Sequence, residues 1–227
     1  MAEKGENPTK KTKFRLELQY NSPVILTFFL LSLAVLFLDE WTGGWTTMHL
    51  FCVYRSSLKD PLFYIRLFGH VLGHASWDHF LNNMLLLLVI GPPMEEKYGS
   101  IPLLKAITLT ALISGILQCV LFPRSALLGA SGIVFMLIML SSLAGFAGGI
   151  PVTMLLVAAL YLGQQVYDIL FVPSNVANFM HIVGGVCGTA FGFYSALPHR
   201  RKAPKAAKAA RTAAKPGLKF SRKGSRR

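Results

Sequence analysis

The sequence predicts an all-α membrane protein, a bundle of six transmembrane helices. Hydrophobic residues make up 53% of its 227 residues, and the mean hydropathy of +0.49 is too high for an ordinary soluble domain. The apolar residues also cluster into runs long enough to cross a bilayer. These runs cover approximately residues 23–38, 77–90, 101–122, 129–144, 152–171 and 179–197.

Composition divides the chain into a membrane domain, residues 23–197, and two polar tails. Residues 1–22 form a basic N-terminal tail, and residues 198–227 carry 12 of the 23 Lys and Arg residues and no acidic residue. We expect this second tail to be disordered. Cationic residues accumulate on the cytoplasmic side of membrane proteins. Of the 23 Lys and Arg residues, 19 lie in the two tails or in connections on the same side of the membrane as the tails. Both termini are therefore predicted to be cytoplasmic.

The net charge of +13 suggests nucleic acid at first sight, but the C-terminal tail accounts for nearly all of it. We therefore expect this tail to contact anionic lipid and expect no nucleic-acid partner. The N-terminus does not resemble a Ser-rich, acid-poor transit peptide, which favours a bacterial cytoplasmic membrane. Cys52, Cys119 and Cys187 form no CxxC pair and are expected to be buried thiols. No cofactor or metal is expected.

Two connections between the predicted helices have distinctive compositions. Residues 39–75 mix aromatic with basic residues, which favour the lipid headgroup layer, so this first loop is predicted to be membrane-embedded, half-sunk along the interface. Pro92 and Pro93 follow Gly91 and are predicted to end the second helix. Glu95 and Glu96 are then expected to be solvated in the loop that follows.

Polar residues recur near the start of three of the predicted helices. His79, Ser131 and His181 each lie about two residues into the second, fourth and sixth runs, which all cross the membrane inward from its outer face. The three side chains should therefore share one depth. Asn83 is four residues after His79, so both leave the same face of their helix.

A serine–histidine dyad would explain this arrangement. Gly184 and Gly188 share the helix face of His181, and such small residues let membrane helices approach closely. The approach would bring the imidazole to Ser131, where a histidine can take the hydroxyl proton during nucleophilic attack. No acid accompanies His181 at helical spacing, which favours a dyad over a triad. His79, Asn83 and the backbone N–H of Ser131 could stabilise the resulting oxyanion.

Over roughly residues 61–195, the chain resembles the rhomboid intramembrane serine proteases. The matching motifs, in order, are Arg66-Leu67-Phe68-Gly69-His70, His74, His79, Asn83-Met84, Gly91, Glu95 to Gly99, Gly129-Ala130-Ser131-Gly132 and His181-x-x-Gly184-x-x-x-Gly188. Two positions depart from the family pattern: Ile65 precedes Arg66 where an aromatic residue is common, and Phe135 replaces a frequent tyrosine.

The resemblance implies a rhomboid-like six-helix fold and a serine-type endopeptidase. Ser131 would be the nucleophile, His181 the general base, and His79 with Asn83 part of the oxyanion hole. The substrates would be single-span or other transmembrane proteins, cut in or near a membrane segment. Entry to the site would be gated by the fifth helix and residues 170–178.

Other interpretations of the same residues stay open. Taken alone, a serine among glycines in an apolar helix is more often a packing residue. His70, His74 and His79 could be proposed as zinc ligands, but their spacing fits no H-E-x-x-H motif, and His70 and His74 are better explained as structural. The bundle could also bind client helices without cleaving them. A transporter is disfavoured because the six runs show no paired halves.

Overall fold

The computed structural model describes residues 21–144, 152–171 and 176–196, so both basic tails lie almost entirely outside the described residues. The described chain is mainly helical, with helices α1 Pro23–Trp41, α2 Trp45–Leu50, α3 Pro61–Gly69, α4 Trp77–Tyr98, α5 Ser100–Leu121, α6 Ser131–Ser142, α7 Val152–Val157, α8 Gly163–Phe171 and α9 Val176–Ala196. A π-helical turn, Ala158–Leu162, joins α7 to α8. Two short strands, β1 Val53–Tyr54 and β2 Ala126–Leu127, pair antiparallel.

Among the described residues, three helices are long and apolar enough to cross a membrane: α1, α5 and α9. Helix α4 is as long as α5, with 22 residues each, but it carries polar residues at both ends. Helix α6 is apolar but has only 12 residues. The structure thus supports a helical membrane protein, while the count of six membrane-spanning helices stays a prediction.

Helix α6 occupies the centre of the molecule. It packs against α4, α5, α7 and α9, and its residues from Ile133 to Leu140 are buried except for the half-buried Phe135. A helix that is apolar on every face is stable only when other elements surround it. The residue at its first position, Ser131, is therefore held at the entrance of the bundle's core.

Glycines set the distance between α6 and α9, as the sequence predicted. A Cβ built on Gly184 would lie 2.0 Å from the carbonyl oxygen of Gly132, and one built on Gly188 would lie 2.1 Å from that of Met136. Backbone therefore meets backbone along this interface, which only glycine permits. The two helices approach as closely as their main chains allow.

The predicted end of the second helix at Gly91 is wrong, because α4 continues through Pro92 and Pro93 to Tyr98. Proline removes a backbone donor and crowds the preceding turn, which usually ends a helix. Here contacts with α1 offset that cost. A Cβ on Gly91 would lie 2.6 Å from Ile25 Cδ1, so α1 packs directly against the α4 backbone at this point.

The predicted solvation of Glu95 is also wrong, whereas Glu96 is exposed as expected. Glu95 lies on the extended part of α4 and is 3% exposed. Its two carboxylate oxygens accept hydrogen bonds from the backbone N–H groups of Val24 and Ile25, both at 3.0 Å. The carboxylate therefore caps the start of α1, where N–H groups have no partner within the helix and the helix dipole favours negative charge.

The first loop is ordered around the buried side chain of Arg66, which is 2% exposed. Its guanidinium donates to the carbonyl oxygen of His49 at 3.1 Å, to Ser56 Oγ at 2.9 Å and to Asp60 Oδ2 at 2.5 Å. It also stacks over the ring of Tyr54, 4.6 Å from the centroid. The Arg66 bond holds the pKa of the Asp60 carboxyl below its usual value. Arg66 thus connects α2, β1 and α3, although Ile65 and not an aromatic residue precedes it in the sequence.

Large apolar side chains point outward from this loop. Trp41 is 84% exposed, and Trp45, Leu58, Tyr64, Ile65 and Phe68 are exposed as well. Exposed aromatic and aliphatic residues of this kind are favourable at a membrane interface and unfavourable in water. They fit the predicted embedding of the loop, which itself stays a prediction.

Candidate active site

Ser131 is placed by a sharp turn between β2 and α6. Gly129 has φ +116°, a conformation that residues with a Cβ rarely adopt, and its N–H donates to the carbonyl oxygen of His70 at 2.9 Å. The turn directs Ser131 into the first position of α6, where it is half-buried. Its own N–H lies in the first turn and has no partner within the helix.

His181 lies on the side of α9 that faces this turn. Its ring stacks on Phe135 with centroids 4.4 Å apart and planes 6° from parallel, and Phe135 follows Ser131 by one helical turn. A Cβ on Gly132 would lie 3.6 Å from the carbonyl oxygen of Met180. The chain neighbours of Ser131 and His181 are thus in direct contact, and the two residues occupy the same level of the bundle.

His79 and Asn83 approach the same turn from α4. A Cβ on Gly129 would lie 2.7 Å from both Cε1 and Nε2 of the His79 ring and 3.8 Å from Asn83 Nδ2. Asn83 is only 6% exposed, and its Nδ2 has no hydrogen-bond partner in the described part of the chain. A buried donor without a partner is costly, so its retention indicates a role for it.

The hydrogen bonds around His79 indicate which ring nitrogen carries the proton. Its Nδ1 accepts a hydrogen bond from the backbone N–H of Ala75 at 3.4 Å, and an accepting nitrogen is unprotonated. The proton of the neutral ring is therefore assigned to Nε2, the atom that faces Gly129. His79 is also fixed through its backbone, whose N–H donates to the capping Ser76 Oγ at 3.2 Å.

His70 and His74 surround the site in the segment between α3 and α4. Both are buried, and burial lowers the pKa of each imidazole to about 4, so both rings are neutral at pH 7. The His74 ring lies edge-on to His79 with centroids 5.0 Å apart. These residues support the site rather than adding charge to it.

The structure brings all four predicted site residues to one end of the bundle. The sequence prediction missed the link between Gly129 and the His70 backbone, because a backbone acceptor has no signature in the residue type. It also missed Ser76, although a serine three residues before His79 at a helix start is a recognisable cap. Helix α9 begins at Val176, three residues earlier than predicted.

Together, the fold and the site define a helical integral membrane protein with a polar site where apolar helices begin. Comparison with protein-family models makes this more specific. The model described as Rhomboid domain matches residues 62–197, more than half of the chain, and the chain belongs to the rhomboid family.

Individual relatives agree with this assignment. Rhomboid-related protein 2 of Mus musculus is 28% identical over 158 residues, and the match covers 60% of this chain and 52% of that protein. Rhomboid protease GlpG of Pectobacterium atrosepticum is 27% identical over 183 residues, 78% of this chain and 64% of that protein. RHOMBOID-like protein 4 of Arabidopsis thaliana is 38% identical over 139 residues, 56% of this chain and 33% of that protein. The chain therefore spans less than two thirds of the length of each relative.

Proposed function

We propose that this protein is an intramembrane serine endopeptidase that cuts other membrane proteins in or near their transmembrane segments. The observation that carries the proposal is the contact of α6 with α9 at the level of Ser131 and His181, where the imidazole is stacked on the same helix that presents the hydroxyl. The similarity to a relative named as a protease supports it.

In the proposed reaction, a ring nitrogen of His181 takes the proton of Ser131 as its Oγ attacks the substrate carbonyl carbon. The tetrahedral intermediate then collapses, the C–N bond breaks, and the departing amine receives that proton from His181. The product is an acyl-enzyme ester on Ser131. Water, deprotonated by His181, attacks the ester and releases the new carboxyl terminus, which restores the hydroxyl.

The oxyanion of each intermediate needs donors in a region with little water. Three donors are available: His79 Nε2–H and Asn83 Nδ2–H near Gly129, and the backbone N–H of Ser131 two residues after it. The positive end of the α6 dipole lies in the same region and also favours negative charge. The stack on Phe135 limits the orientations open to the His181 ring, which keeps the base positioned between turnovers.

The substrates we propose are single-span or other transmembrane proteins. The route to the site would pass the fifth predicted helix, where Val152, Leu155, Leu156, Leu160 and Leu170 are all exposed. Because so many of the described side chains of this element are exposed, it can move at little cost, as a gate requires. We place both termini in the cytoplasm and the site near the outer face of a bacterial cytoplasmic membrane, following the charge distribution of the chain.

The test combines cleavage with active-site labelling. The purified full chain is incubated with a labelled single-span substrate and, separately, with a mechanism-based serine reagent, followed by mass mapping of the adduct. Ser131→Ala and His181→Ala are each expected to lower kcat by about 10⁴-fold or more. Ser141→Ala serves as the control, because the Ser141 hydroxyl lies on the same helix and already donates to the carbonyl oxygen of Ile138 at 2.8 Å.

Two outcomes would overturn the proposal. One is cleavage by the Ser131→Ala variant at the rate of the parent. The other is binding of a broad panel of membrane helices by the parent with no cleavage of any, which would indicate a client-binding protein.

A further inference from the structure

A groove lies at the opposite end of the bundle from Ser131. It has a volume of about 520 Å³ and lies between the first half of α5 and the last half of α9. Lys105 lies near the end formed by the start of α5, Tyr194 and Ala190 belong to the α9 wall, and Ile113 with Cys187 lines the other end. The proposed proteolytic mechanism uses none of these residues.

The lining combines an apolar wall with a single charged residue. Apart from Lys105 and Thr110, the wall consists of apolar and aromatic residues with one cysteine. Lys105 is exposed, and no carboxylate within the described residues forms a salt bridge with it. An unpaired ammonium beside a hydrocarbon groove complements a ligand with an anionic head and an apolar chain.

The position of the groove between two apolar helices indicates that this ligand is a lipid. The groove opens on two helices that can cross a bilayer, so lipid chains are the molecules that meet it. A lipid chain leaving the bulk bilayer for the groove gains little from the hydrophobic effect, because both surroundings are apolar. Any preference among lipids must therefore come from the headgroup at Lys105.

Two further features of the chain favour an anionic ligand at the groove. Lys105 lies in the second turn of α5, whose start carries the positive end of the helix dipole. The basic tail, with its 12 Lys and Arg residues, continues the chain directly after α9, whose residue Tyr194 lines the groove. Basic segments at a membrane surface attract anionic lipids and raise their local concentration.

We propose that the groove between α5 and α9 is a binding site for one anionic phospholipid, with its phosphate at Lys105 and one acyl chain along the wall towards Ile113. Ile113 follows Lys105 by eight positions, which is about 12 Å along the helix. A transmembrane helix needs about 30 Å of apolar surface, so a short groove suits an acyl chain better than a partner helix. The proposal stands independently of the proteolytic function.

The test measures which lipids stay bound to the full chain. Protein is exchanged into bilayer nanodiscs that contain equal parts phosphatidylglycerol and phosphatidylcholine, then released for native mass spectrometry. We expect the parent to retain one phosphatidylglycerol molecule preferentially. Lys105→Gln should lower the ratio of retained phosphatidylglycerol to phosphatidylcholine roughly fivefold, the effect expected for one cation at the membrane surface.

Two more variants separate the groove from general charge. Lys97→Gln removes an exposed cation from the same side of the protein and should leave the ratio unchanged. Ala190→Trp fills the groove and should lower retention of both lipids while Lys105 is still present. The basic tail is identical in all variants, so its own lipid contacts cancel, and circular dichroism melts verify that each variant is folded.

The proposal is overturned if Lys105→Gln matches the parent, or if Lys97→Gln lowers the ratio equally, since the charge effect would then be diffuse. It is also overturned if the parent retains both lipids equally, which would indicate no headgroup selection. Detection of a dimer that Ala190→Trp dissociates would show that a second copy of the chain occupies the groove instead.

Discussion

Two neighbouring asparagines on α4 have opposite surroundings. Asn82 is exposed, whereas Asn83 is buried beside Gly129, and its amide nitrogen has no partner among the residues that the structure describes. A buried amide without a partner destabilises the folded protein by about 1–3 kcal/mol. That cost is reasonable if the donor is reserved for a charge that exists only during the reaction.

We predict that Asn83→Ala lowers kcat by about 10²-fold with little change in KM, because the lost hydrogen bond forms mainly in the transition state. Steady-state cleavage of a labelled transmembrane substrate measures both constants. Asn82→Ala is the control and should retain the activity of the parent. If the two variants lose kcat equally, Asn83 is not part of the oxyanion hole.

At this scale the sequence predicted which polar residues lie at one end of the bundle better than it predicted their local contacts. Ser131, His79, Asn83 and His181 could be selected because polar residues are rare in apolar helices and these share one predicted depth. Glu95 was misjudged because a glutamate beside Glu96 and Lys97 looks like part of a solvated loop. Its burial depends on α1, which is about 70 residues away along the chain.

Among the elements, the contact between α6 and α9 controls the geometry of the site. We predict that Gly184→Ala abolishes cleavage, because the new methyl group would meet the carbonyl oxygen of Gly132 and push the helices apart. Overpacking of this kind also destabilises a protein by about 1–3 kcal/mol. Cleavage assays and thermal unfolding in detergent measure the two effects.

Gly163→Ala provides the matched control for this substitution. A Cβ at Gly163 would have nothing within 4 Å in the described structure, and alanine favours a helix over glycine by about 1 kcal/mol. The control should therefore be as stable as the parent or more so. If Gly184→Ala behaves like Gly163→Ala, the backbone contact does not determine the site.

The cap on α1 is the second contact between elements that a substitution can test. Glu95→Ala leaves two N–H groups of α1 without their acceptor and should lower the free energy of unfolding by about 1–2 kcal/mol. Thermal unfolding in mild detergent measures the change. Glu96→Ala should have no measurable effect, since Glu96 is exposed. Equal melting temperatures for the two variants would contradict a capping role.

Helix boundaries could be predicted where local helix propensity and tertiary contacts agree. They could not be predicted where the two conflict. The start of α1 at Pro23 follows from a proline at the first helical position, which needs no N–H partner. The passage of α4 through two prolines could not be predicted, because contacts with α1 override a strong local signal. The π-helical turn in the fifth run likewise interrupts a sequence that reads as one uniform apolar helix.

For the whole molecule, buried neutral histidines make stability depend on pH. His70 has a pKa of about 4 when folded, below the ordinary value of 6.5, because burial disfavours its charged form. As pH falls below 6.5 the unfolded chain takes up a proton that the folded protein does not, so stability is lost between pH 6.5 and 4 and stays level below that. This histidine alone would account for about 3 kcal/mol of the loss.

We therefore predict that His70→Gln reduces the fall in melting temperature between pH 7 and 4.5, measured in mild detergent, and that the part due to His74 remains. Glutamine cannot gain a proton in this range but can still donate towards the carbonyl oxygen of Arg66, which His70 contacts at 3.2 Å. His49→Gln is the control, because His49 is exposed. A parent-like pH profile for His70→Gln would show that other groups cause the acid sensitivity.

The bond from Glu95 to the start of α1 has a consequence for how the protein meets bilayers of different thickness. Because the N-terminal end of α1 is fixed to α4, the two helices cannot slide past each other along their axes. The first loop continues from the C-terminal end of α1, so its distance from the Glu95 bond is set by a helix of fixed length. Hydrophobic mismatch must then be absorbed by deformation of the surrounding lipid or by tilting of the whole bundle, while the depth of the site relative to its own helices stays constant.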